Sequence, residues 1–147
     1  MGDCDVICLQ EVAMNHPRLT GSEGEDQVAI LGKSFPGYSA HYGIGSDLAG
    51  EFGARRLSGN LLLSRLPVLQ VFRQSPPQRT EKGCPRVPSV AVEVIVAAGH
   101  AMQVTTTHLE YYSLAQRTVQ IRHLRTIHEE AFSHSSTVHP PSSARVA

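Results

Sequence analysis

The chain has 147 residues, 41% of them apolar, enough to bury one modest core as a single domain or part of one. Thirteen basic and thirteen acidic side chains cancel, so nothing supports whole-molecule steering toward nucleic acid. No run of about 18 apolar residues offers a membrane span, and no basic stretch leads into an apolar one at the N-terminus as a secretory signal would.

Val6-Ile7-Cys8-Leu9 is apolar on both faces and predicts a central strand covered on each side. A period of two puts Ile7, Leu9 and Glu11 on one face, so Glu11 closes a core-facing row at the mouth of the core. Cys4 and Cys8 lie on this extended segment, about 13 Å apart at a rise of roughly 3.3 Å per residue, too far to bridge. With Cys84 the set is odd, and a reduced, cytoplasmic compartment is the expectation. Residues 25–34 predict a short helix stopped by Phe35-Pro36-Gly37. Tyr38 to Tyr42 predicts an edge strand, followed by a loop containing Gly43, Gly45, Gly50, Gly53 and Gly59. Gly43-Ile44-Gly45 lacks the third glycine and the helix of a dinucleotide fingerprint.

Leu61 to Ser64 and Val68 to Arg73 read as consecutive strands separated at Pro67. Residues 75–88 form a loop rich in proline and charge. Val90, Val92, Val94 and Val96 then alternate with Ser89, Ala91, Glu93 and Ile95, a strand pattern. A turn at Ala97-Ala98-Gly99-His100 leads into the strand ending at Thr107-His108, completing a β-meander. Ser113 and Gln116 form a capping box for the clearest helix, running to about Ser133. Leu114, Ile121, Leu124, Ile127, Ala131 and Phe132 share one broad helix face with Arg117 and Gln120. An arginine facing a core needs hydrogen-bond partners. Residues 135–147 read as a disordered Ser/Pro/Ala tail, leaving 1–134 as the folded part.

Charge is unevenly distributed. Residues 1–54 hold eight acids and two bases, and residues 55–86 hold seven bases and one acid. Such a basic middle beside an acidic first third suits a phosphate near a metal-binding carboxylate; the plainer account is solvated loops whose charges cancel.

A carboxylate ending a buried strand is poorly solvated and wants a counter-charge, which a hard cation such as Mg²⁺ supplies. Glu11 is the candidate ligand; the alternative is a strand-end glutamate pointing to water. His108 suits donation to a phosphoryl oxygen or proton transfer near neutral pH; alone, a strand-end histidine is more often a structural hydrogen bonder. Asn60 contacts phosphate or orients a loop, or more simply forms a Gly-Asn turn. Arg117 and Gln120 brace Glu110-Tyr111-Tyr112 from behind or touch substrate. His123 and His128 lack the i, i+4 spacing of a zinc-protease helix and, with His134 and His139, read as surface groups.

At these residues the chain resembles the endonuclease/exonuclease/phosphatase family of metal-dependent phosphodiesterases. Val6-Ile7-Cys8-Leu9-Gln10-Glu11 is similar to its Leu-Gln-Glu metal motif. Gly59-Asn60-Leu61-Leu62-Leu63-Ser64-Arg65-Leu66-Pro67-Val68 is similar to its Gly-Asn … Ser-Arg-x-Pro strand. Thr107-His108-Leu109-Glu110, with Arg117, Gln120 and Leu124, resembles its Thr-His-Leu … Arg-x-x-Gln segment, and the likeness runs from about Cys4 to Ala131. The resemblance implies an α/β fold, part of a four-layer sandwich of two mixed, largely antiparallel sheets flanked by helices. It implies Mg²⁺ (or Mn²⁺) on Glu11, His108 on the phosphate, and Asn60 and Arg117 as substrate-binding or supporting groups. The substrate implied is a phosphate ester: nucleic acid, phospholipid or small phosphodiester.

The family's earlier N-terminal strand, its Gly-Asp-x-Asn motif and its Ser-Asp-His motif have no counterpart here, and Ser89 stands where relatives commonly carry arginine. The resemblance thus implies an incomplete domain, N-terminal strand and C-terminal half missing, supplying about one sheet and one covering helix, with little turnover alone. The alternatives are a non-catalytic remnant or interaction piece, or a phosphate-binding protein using Arg55, Arg56 and Arg86.

Overall fold

A computed structural model describes residues 4–78, 82–83 and 89–135. In chain order it contains β1 (Val6–Met14), α1 (Gln27–Ser34), β2 (Ser39–Ala49), β3 (Arg55–Ser64), β4 (Val68–Gln74), β5 (Ala91–Ala97), β6 (Ala101–Thr107) and α2 (Leu114–Ser135). A short 3-10 turn, Glu51–Gly53, joins β2 to β3. Among the described residues the strands form two three-stranded sheets, ordered β1-β3-β2 and β4-β5-β6, with every pairing antiparallel.

The three leucines of β3 explain the layering. Successive side chains on a strand point to opposite faces. Leu61 and Leu63 pack with Val12 and against Val28, Leu31 and Phe35, under α1. Leu62 points the other way, into Val92, Val94 and Val96 of β5. On the far face of β5, Glu93 lies near His128 of α2. The layers therefore run helix, sheet, sheet, helix: an α/β sandwich. The expectation of one sheet and one covering helix is corrected here. The chain crosses to a second sheet at Pro67, because the valine row of β5 and the Leu62 side of β3 can each be buried only against the other.

Other boundaries differ from expectation for identifiable reasons. β1 is an edge strand rather than a central one. Its two faces are half covered, Val6 by the inter-sheet core and Ile7 and Leu9 by the α1 side. The expected glycine loop after Tyr42 is largely strand, since Gly43 and Gly45 lie in β2 and Gly59 in β3. These glycines mark close approach, not a turn. A Cβ on Gly43 would sit 2.3 Å from a methyl of Val92, on the opposing sheet.

Both helices begin where side chains can cap them. Asp26 Oδ1 accepts from Ala29 N at 2.9 Å for α1, and Ser113 Oγ accepts from Gln116 N at 3.1 Å for α2. The buried stripe of α2 is nevertheless turned from the expected one. Gln116, Gln120 and Ile127 are buried, whereas Leu114 is 70% and Ile121 51% exposed. The helix is oriented by polar bonds from Gln120 and Arg117 to the chain before it, which outweigh burial of two aliphatic side chains.

Glu93, 3% exposed, is the acid that this packing perturbs. Burial holds its carboxyl above the usual range, partly offset by a hydrogen bond with Gln103 and the charge of His128. A raised folded pKa favours the fold while the group is protonated. That contribution is complete below the unfolded value of about 4.3 and is lost as pH rises through the raised one. Glu93→Gln, still able to hydrogen-bond Gln103, is expected to gain stability relative to the unsubstituted protein as pH climbs from about 4 to 7. Urea unfolding of both proteins across that range checks this; a difference that stays constant with pH would contradict it.

Candidate functional site

Glu11 does not end its strand. The register of β1 on β3 passes from Leu9↔Leu61 to Val12↔Gly59, so Gln10 and Glu11 together oppose Asn60 alone. This is a β-bulge, and Glu11 occupies it with φ 56°, a left-handed conformation uncommon outside glycine. The extra residue breaks the period of two that would put Glu11 beside Leu9. Instead its carboxylate turns toward the end of β6. There Glu11 Oε1 lies 3.4 Å from His108 Nδ1, with the side chains 60% and 44% exposed. Glu11 is thus well solvated, contrary to the poor solvation expected of a core-facing acid. The two side chains come from different sheets and meet at one cavity.

Hydrogen bonds across the gap between sheets hold this meeting point. Gln10 Nε2 donates to Thr107 O at 2.6 Å, tying the bulge to the residue before His108. Asn60 is 2% exposed, and its Nδ2 donates to Val90 O at 2.7 Å. Thr107 Oγ1 donates to the same carbonyl at 3.2 Å. The Gly-Asn turn reading of Asn60 is therefore replaced: it lies inside β3, and its amide joins the sheets.

Behind the cavity, α2 grips the segment after His108. Gln120 Oε1 accepts from Glu110 N at 2.8 Å, and Arg117 Nη1 donates to Glu110 O at 2.9 Å and Tyr111 O at 3.1 Å. Arg117 Nη1 thus serves two backbone carbonyls. Glu110 Oε1 accepts from Tyr112 N at 2.7 Å. The resulting cavity is about 500 Å³, lined among others by Glu11, Asn60, His108, Tyr111 and Tyr112.

Sequence reasoning missed two lining residues, His16 and Glu110, which are 9% and 2% exposed. Among the described residues, His16 Nδ1 and Glu110 Oε2 are buried without a hydrogen-bond partner, an uncommon condition. His16 sits in an irregular stretch without periodicity, so no pattern could have announced it. Glu110 follows His108-Leu109 directly, and its adjacency was the available signal.

Of the basic middle, Arg55 Nε lies 2.7 Å from Asp47 Oδ1, Arg56 donates to Ala49 O, and Arg65 Nε lies 2.7 Å from Asp5 Oδ1. Arg86 lies outside the described residues, as do Cys84 and residues 136–147 of the expected tail. Cys4 and Cys8 are free thiols, and burial pushes the Cys8 thiol up, moderated by a hydrogen bond with Thr106. Among the described residues no helix is long and apolar enough to cross a membrane.

The architecture has a counterpart among solved structures. The chain is similar to the crystal structure of an endonuclease/exonuclease/phosphatase from Beutenbergia cavernae DSM 12333, with a TM-score of 0.61 and 23% sequence identity over 80% of this chain. This is the endonuclease/exonuclease/phosphatase fold. The chain spans 33% of the length of that structure, so the likeness concerns part of the fold. No family model and no curated protein matches the sequence. In this part of the fold, the Glu11–His108 meeting point joins a bulge of one sheet to the residue that follows a strand of the other.

Proposed function

We propose that this chain carries part of the site of a metal-dependent hydrolase of phosphate esters. The observation that carries the reading is the 3.4 Å approach of Glu11 Oε1 to His108 Nδ1 across two sheets, at the mouth of a shared cavity. A carboxylate and an imidazole so held are suited to the two ends of one anionic substrate: a cation at the acid, a hydrogen-bond donor at the imidazole.

Mg²⁺ takes one or two carboxylates and keeps several waters. Glu11, open to solvent, fits that role. Among the described residues no group of three or more His, Cys, Asp or Glu side chains could hold a metal, so an ion at Glu11 would depend on water for most of its ligands. Bound at Glu11, the cation would neutralise charge on a phosphoryl oxygen. His108, beside Glu11, donates to a phosphoryl oxygen. Asn60 joins the two sheets through Val90, and Arg117 fixes the backbone beyond His108. A phosphate site built on Arg55 and Arg56 has less support, because both guanidiniums already bond Asp47 and the Ala49 carbonyl.

Mn²⁺ binding followed by electron paramagnetic resonance tests this. Binding in the millimolar range is expected, weakened about tenfold or more in Glu11→Gln, or roughly 1.4 kcal/mol. Equal affinity in the two proteins would remove Glu11 as a ligand. Phosphate binding insensitive to chelator would favour a non-catalytic anion binder.

A further inference from the structure

Two aromatic rings stand exposed where folding alone gives no reason to expose them. Tyr111 is 77% and Tyr112 67% exposed, and both line the cavity with Glu11 and His108. Their rings meet edge to face, centroids 5.3 Å apart at 86°, which leaves outer faces open to solvent. Their mount is rigid. Arg117 holds the Tyr111 carbonyl, buried Glu110 accepts from the Tyr112 amide, and the wholly buried Gln120 accepts from Glu110 N. The bonds that fix His108's neighbours thus also fix the rings, so a phosphate held beside the Glu11–His108 pair would carry its substituent toward them.

We infer that Tyr111 and Tyr112 form a stacking platform for the bases of a single-stranded nucleic acid whose phosphate lies at Glu11 and His108. This rests on the phosphate-ester reading of that pair. A flat ring face favours a flat partner, and a nucleobase is the planar group that a phosphodiester chain carries. The rest of the lining is mixed, with Ser46, Ser58 and Ser89 beside Leu19, Val90 and Leu109, so the two rings decide the ligand class. Stacking on an aromatic side chain is sequence-tolerant and contributes on the order of tenfold in affinity per base.

The test is fluorescence anisotropy of a labelled twelve-residue oligothymidylate and of an abasic strand of equal length, in millimolar Mn²⁺, with gel electrophoresis afterwards to check that both strands are intact. The Tyr111→Ala, Tyr112→Ala double variant should bind the oligothymidylate about tenfold or more weakly, and the double Phe variant within about twofold of the original. The abasic strand should bind weakly to all three proteins. Equal binding of the two strands by the unsubstituted protein overturns the inference, even if the alanine variant fails to fold. So does unchanged binding by a folded alanine variant, or self-association in ultracentrifugation that the alanine changes abolish without any effect of the bases. Because Glu11 is assayed separately by Mn²⁺ binding, a failed platform and a failed hydrolase site give different results.

Discussion

Gly59→Ala is expected to destabilise the protein by about 3 kcal/mol or more, or to prevent folding. A Cβ built on Gly59 would lie 1.9 Å from Gly43 O and 3.1 Å from Gly45 N, both backbone atoms of β2. No rotamer change relieves a clash with backbone. The two strands would have to part where Gly43 pairs with Asn60 and Ile44 with Gly59. β3 is the central strand of its sheet, so the disturbance reaches β1 as well, at the bulge that presents Glu11. Gly32→Ala is the control of opposite sign. It lies in α1 with nothing within 4 Å of the added methyl, and alanine there should stabilise by about 0.5–1 kcal/mol. Urea unfolding of the two variants compares them directly. A Gly59→Ala protein as stable as the original would mean that β2 and β3 do not approach as described.

The same residues show how far the sequence could be read. The valine alternation of β5, the turn before β6, the cap of α2, the breakers that stop α1 and the strand run at Val6–Leu9 are local patterns, and local patterns are legible. So was the convergence of Glu11 and His108 on one pocket, through the resemblance carried by their motifs. Three features were not. Glycines at 43, 45 and 59 read as loop, because a missing side chain signals either a turn or a close neighbour, and the neighbour is visible only in three dimensions. The bulge at Glu11 hides inside a run whose simple alternation predicts the opposite orientation. The roll of α2 follows bonds from Gln120 and Arg117 to backbone groups, which periodicity of apolar residues cannot see. In each case the deciding contact is between residues distant in sequence or between a side chain and backbone.

Leu62→Ala should lose about 2–5 kcal/mol, the range for a fully buried leucine whose surroundings close only in part. Leu62 has no exposed surface and stands opposite Val92, Val94 and Val96, with Val6, Val71 and Val104 around it. Leu69→Ala on β4, 63% exposed, should change stability by no more than about 0.5 kcal/mol. The contrast tests the sandwich itself. A loss under about 1 kcal/mol at Leu62 would mean that the two sheets are not packed at that point. The consequence reaches the site, because Glu11 belongs to one sheet and His108 follows a strand of the other. Their separation is set by how closely the sheets pack and by the Gln10–Thr107 and Asn60–Val90 hydrogen bonds. Protein interiors are close-packed and transmit strain, so a void at Leu62 should loosen the cleft without removing any group that touches substrate. The sheet-to-sheet core is therefore the structural element that makes a carboxylate and an imidazole, nearly a hundred residues apart in sequence, into one site.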